Sequence, residues 1–163
     1  MDALLERLED ILIEETELYR KLVELSKQKT EVLMAGDTEK LDRITREEQG
    51  LIFHGGILER NLEQCILDIA GNESRYSGCN TLSQLIENVS DPHKQKLSSI
   101  GRELSSLLHE QKELNELNTG LIQSNLDYIN HLLSRMQGRN SIYSLKGTKV
   151  KKDTAVSLMD KKI

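Results

Sequence analysis

From Leu4 onward the chain places an apolar residue at every seventh position: Leu4, Ile11, Leu18, Leu25 and Val32 form one line, with Leu8 and Leu22 interleaved. A three-four spacing of this kind marks one face of an α-helix, and Leu5, Leu12, Tyr19 and Leu33 widen the stripe. The pattern predicts a helix of about thirty residues, roughly 45 Å long. The stretch "AGDTEKL" ends it: Gly36 suits a left-handed C-cap, and Asp37 or Thr38 suits the N-cap of the next helix. A second helix is predicted through Leu41, Ile44, Glu48, Leu51, Gly55, Leu58, Leu62, Cys65 and Ile69, to about Ala70. Two helices of equal length joined by so short a turn make an antiparallel hairpin. Gly55 and Gly56 lie in the middle of the second one, where each glycine costs up to ~1 kcal/mol against alanine. A close crossing, a kink or plain tolerance would each account for them.

Residues 71–80, "GNESRYSGCN", read as a polar connector. "TLSQLIENV" adds about two helical turns, with Thr81 as cap. "SDPHKQKL" then opens the longest helix, with Ser90 or Asp91 as cap and Pro92 in the first turn, where its missing N–H is harmless. Its seam runs Leu97, Ile100, Leu104, Leu107, Gln111, Leu114, Asn118, Leu121, Asn125, Tyr128, Leu132, to about Gln137. A helix of that length should outlast the hairpin it packs on and leave an apolar stripe for something else to cover. After "QGRN" the period stops. The expectation is therefore an all-α fold: an antiparallel helical hairpin plus one longer third helix, forming an elongated up-down bundle over residues 1–138. A flexible basic tail is expected over 139–163.

Gln111, Asn118 and Asn125, each seven residues from the last, put amides where leucine is expected. Two readings stand. Seam amides fix register at some cost in stability, as in coiled coils. Alternatively they mark where a private seam becomes a groove for another chain's helix, since a buried amide without partners costs about 1–3 kcal/mol and a wet groove avoids that cost.

Composition narrows the class. Aromatics make up 3 % of the 163 residues, there is no Trp and one proline, and 30 % are charged, which suits long helices on narrow aliphatic seams. The net charge is −5, but residues 139–163 hold seven Lys/Arg against two Asp. An acidic helical body argues against nucleic acid as a partner. The N-terminus has no basic-then-apolar signal pattern, and no apolar run approaches the ~20 residues of a membrane span. Cys65 and Cys79 match no metal spacing, so a reducing, cytoplasmic setting is expected. The four histidines are scattered, and neither a phosphate loop nor a metalloprotease motif is present. No enzyme, cofactor or metal is expected.

Three stretches, in order along the chain, resemble the FlgN family of flagellar export chaperones. "GDTEKLDRITREEQ" is similar to that family's Gly-Asp turn and the opening of its second helix. "LNELNTGLIQSNLDYINHLL" resembles its asparagine-containing segment near the end of the last long helix. "SIYSLKG" resembles its Tyr-Gly element just after that helix, although it is more basic here. The resemblance implies a cofactor-free cytoplasmic chaperone that binds the C-terminal helices of hook-associated axial proteins of the FlgK/FlgL type. Such a chaperone would prevent their premature assembly and deliver them to the flagellar export gate. Carried over by position, Asn115, Asn118, Leu121, Ile122 and Asn125 would line the client groove, and Tyr143 would dock on the gate. For the client-free form the sequence leaves monomer and homodimer both open. Two other readings compete: a non-catalytic coiled-coil-like oligomerisation module, and a peripheral adaptor that touches a membrane through the basic tail without inserting.

Overall fold

The fold is taken from a computed structural model, which describes residues 1–143 except 73, 77 and 80, and only the backbone of 74 and 138–143. The described residues contain four α-helices and no strand: α1 (Asp2–Ala35), α2 (Thr38–Asn72), α3 (Leu82–Asn88) and α4 (His93–Tyr143). A short 3-10 turn, Ser74–Tyr76, lies between α2 and α3. The chain divides into two compact units, the first Met1–Ser124 and the second beginning at Asn125.

The expected punctuation of the first unit is present. Gly36 ends α1 with φ 70°, the left-handed conformation that a glycine adopts without strain, and its N–H donates to Val32 O. Asp37 caps α2, with Oδ1 accepting from the backbone N–H of Lys40 at 3.0 Å. Thr81 caps α3 by accepting from Gln84 N. α4 begins one residue later than the sequence suggests, at His93, and Lys94 N donates to Ser90 O.

α1 and α2 run antiparallel. Arg7 meets Asp68 near one end of the hairpin and Lys29 meets Glu48 near the other. α4 lies parallel to α1, and the contacts step upward together: Glu9 with His93, Arg20 with Glu103, Lys27 with Glu110, and Thr30 with Asn118. Because α2 ends beside the start of α1, the connector has only to cross the open end of the hairpin for α4 to run up again. There Tyr76, Cys79, Leu85 and Val89 are buried against Leu5, Leu8, Leu12, Ile69 and Leu97. Arg75 secures the plug, its guanidinium donating to Tyr76 Oη at 2.6 Å and to Ser90 Oγ at 3.2 Å.

The glycines within α2 are tolerated rather than required. A Cβ at Gly55 would meet Leu18 Cδ2 at 3.6 Å, an ordinary packing contact, and one at Gly56 would meet nothing within 4 Å. Gly55→Ala should therefore raise the unfolding free energy by about 0.5–1 kcal/mol through helix propensity and the new contact. A fall in the urea midpoint would instead show that the backbones need the close approach.

Candidate functional site

The inward line of α4 behaves as a seam for only part of its length. Leu97, Leu104, Gln111 and Asn118 are buried, with Ile100, Leu107, Leu114 and Leu121 half-buried between them. The next members, Asn125, Tyr128 and Leu132, are exposed, as is every residue from Ile122 to Gln137. Between Ile122 and Gln137 the large apolar side chains on the surface are Ile122 in the first unit and Leu126, Tyr128, Ile129, Leu132, Leu133 and Met136 in the second; Leu108 and Leu117, earlier on α4, are exposed as well.

Within the seam the amides converge on Ser26 of α1, which is fully buried. Gln111 Nε2 donates to Ser26 Oγ at 2.8 Å, and Asn118 Nδ2 donates to Ser26 O at 2.9 Å. Thr30 Oγ1 lies 2.7 Å from Asn118 Oδ1 and 3.0 Å from Ser26 O, so its single proton serves two acceptors. From α2, Glu48 Oε1 accepts from Ser26 Oγ at 3.4 Å, while its other oxygen pairs with Lys29 Nζ. One serine thus joins three helices through polar groups. A side chain this small is needed because a larger one would push α4, and the amides it carries, away from α1.

The sequence-expected client residues are divided by this geometry. Asn118 is 3 % exposed with both ends of its amide engaged by α1, which places it inside the bundle, where it fixes the α1–α4 register. Leu121 is half-buried. Asn115 and Ile122 are exposed in the first unit and Asn125 in the second. Asn115 also lines a shallow groove with Tyr19, Leu108, Gln111, Lys112 and Thr119. The side chain of Tyr143 lies outside the described residues, although its backbone closes α4. Glu48 and Ser26 were missed by sequence reasoning. A carboxylate in the seam of α2 was the available signal for the first, and nothing distinguished the second.

A second polar point lies lower on the hairpin. Glu15 stands near Glu59, and its Oε2 is buried with no hydrogen-bond partner among the described residues. Burial first, and Glu59 second, push its carboxyl above the usual range; burial and the same two carboxylates push the Tyr19 hydroxyl up as well. A carboxyl whose folded pKa is raised contributes stability that is complete below its unfolded value near 4.5 and is lost as pH rises through the folded value. Glu15→Gln should therefore stabilise the protein at pH 7 by less than about 1 kcal/mol, because the group is half-exposed and screened. The gain should vanish as pH approaches 4.5, and thermal melts at the two pH values read it directly. An equal gain at both would remove ionisation as the cause.

Among the described residues, no three His, Cys, Asp or Glu side chains are grouped as metal ligands, and no helix is long and apolar enough to cross a membrane. Comparison with known proteins agrees with the resemblance seen in the sequence. The chain is 32 % identical over 127 residues to the uncharacterized protein YvyG of Bacillus subtilis (strain 168), covering 78 % of this chain and 74 % of that protein. No solved structure matches it. The model of the FlgN protein family matches residues 1–151, which takes in all the described helices, and the chain belongs to that family.

Proposed function

We propose that this protein is a cytoplasmic chaperone of flagellar export that binds the C-terminal helices of hook-associated proteins of the FlgK/FlgL type. Membership of a family of flagellar export chaperones supports the general role. One observation carries the finer reading: the seam of α4 is buried as far as Leu121, and large apolar side chains then stand in solvent from Ile122 on. An amphipathic client helix laid on such a face is helix-in-groove recognition, with apolar anchors at three- and four-residue spacing. Ile122 and the half-buried Leu121 supply anchors in the first unit, with Asn115 beside them as an adaptable polar contact. Asn125 opens the share of the second unit. Asn118 acts from behind, holding the α1–α4 register that presents its neighbours.

The client segments would otherwise polymerise through the same apolar faces, so covering them keeps the clients apart until delivery. No step of this requires bond chemistry from the chaperone. Isothermal titration of the full chain with each client's C-terminal segment tests the reading. One-to-one binding in the micromolar range or tighter is expected, and no heat from either segment would overturn it. Tyr143 is assigned to docking on the export gate. Tyr143→Ala should leave the client titration unchanged while lowering secretion of the hook-associated proteins in cells; weakened client binding would move Tyr143 into the client site.

A further inference from the structure

We infer that the groove running from Tyr19 to Thr119 seats a stretch of the bound helix, and that this helix places an arginine between Glu15 and Glu59. The inference deepens the client reading above and rests on it.

The groove lies within the first unit and is short of donors. Among the described residues, the buried side-chain atoms without a hydrogen-bond partner are Glu15 Oε2 and Gln111 Oε1, and both are acceptors. Gln111 lines the groove and is 9 % exposed. Its amide protons are spent on Ser26 Oγ at 2.8 Å and Asn115 Oδ1 at 3.3 Å, which fixes its orientation and strands the carbonyl oxygen. At the other end Tyr19 lines the same groove, and the carboxylates of Glu15 and Glu59 bear on its hydroxyl. No positive charge answers them. Arg20, the next residue, is taken by Glu103, and Lys112 on α4 stands 4.0 Å from Glu116.

The spacing of these demands identifies the occupant. Gln111 meets α1 at Ser26, about three turns or 16 Å beyond Glu15. A helix spans that length and can set its apolar face on the exposed Leu108 between the two ends. Thr119, at the far end, is one turn from Ile122, so the groove continues the face assigned to the client. A guanidinium suits the acidic end because its planar fork of N–H donors can serve both carboxylates while its face stacks on the tyrosine ring. An ammonium is more strongly hydrated and gives up more on entering. An acidic residue at that point of the helix would be repelled. The two glutamates therefore discriminate among helices that share one apolar spacing.

Acetyl-arginine methylamide, titrated into the isotope-labelled full chain, should shift the Tyr19 ring and the Glu15 and Glu59 carboxyl resonances in the millimolar range. Acetyl-lysine methylamide should shift them less. The double variant Glu15→Gln, Glu59→Gln loses a like-charge contact and keeps the fold. It should lose this response and bind the client segments about tenfold more weakly. Replacing each client arginine in turn by citrulline, its neutral isostere, should find one position that weakens binding to the wild type but not to the double variant. Resonances unmoved by the arginine amide, equal client affinity in wild type and double variant, or tight binding of segments with no such arginine would each overturn the inference and leave the client reading standing. A wild-type chain that binds neither segment would overturn both, and the parent titration tells that result from the others.

Discussion

Asn118→Asp lowers the unfolding free energy by about 3–5 kcal/mol at neutral pH, the cost of an uncompensated charge in a buried pair. The substitution changes almost no volume, so the effect is electrostatic. The Asn118 amide donates to Ser26 O at 2.9 Å; a carboxylate oxygen in its place would face a carbonyl oxygen at that distance. The cations of this region are already engaged, Lys29 by Glu48 and Lys27 by Glu110. Glu48, the other buried acid of this region, adds repulsion.

The loss should also depend on pH in a definite direction. The carboxyl of the variant has a folded pKa above its unfolded value of about 3.9. Its penalty is therefore full above the folded pKa and fades as the solution is acidified toward the unfolded one. Once protonated, the acid again donates to Ser26 O and the variant approaches the parent. Urea unfolding of both proteins at pH 7 and pH 4.5 measures the difference. Equal stability at pH 7 would show that residue 118 is reached by solvent and that the seam is open there. Asn118→Leu is the informative companion: Ser26 O keeps the Thr30 hydroxyl at 3.0 Å, so stability should change little while the register loses its polar determinant.

Ile122→Asp should weaken client binding by about a hundredfold or more, equivalent to ~2.7 kcal/mol, through loss of an anchor and burial of a charge. Ile122 is 41 % exposed in the free protein, so the same change should move stability by only about 0.5 kcal/mol. Leu121→Asp should abolish client binding too, but from a half-buried position next to the seam, so its stability cost must be measured alongside. The two variants together separate surface from core. Client affinity unchanged in Ile122→Asp would sink the assignment of this face to recognition.

The hairpin and the third helix were legible because seven-residue repeats are long, and because Gly36, Asp37 and Thr81 sit where their backbone chemistry requires. Which amides are buried was not legible, since Gln111, Asn118 and Asn125 are equivalent in the pattern. What separates them is where α1 ends. Contacts between α1 and α4 join residues 84 apart at Glu9–His93, 85 at Ser26–Gln111 and 88 at Thr30–Asn118. Carried on to Ala35, the last residue of α1, that offset reaches α4 just past Leu121, where burial stops. The offset is set by how the 73–92 connector folds, which no heptad count contains. Ser26 was invisible for a related reason: a small polar residue in a stripe reads as surface until the helices that crowd it are in place.

The bundle is closed by different forces at its two ends, and temperature acts on them differently. Around Leu8, Tyr76 and Leu97 the helices are joined by apolar burial, whose strength declines on cooling. Around Ser26 they are joined by hydrogen bonds and an ion pair, for which water becomes a poorer competitor as it warms. In the cold the plugged end gives up part of its advantage. In the heat the polar end retains a larger share of its own. A change of growth temperature therefore shifts which end of the bundle holds the helices together more firmly, with no change in the contacts themselves.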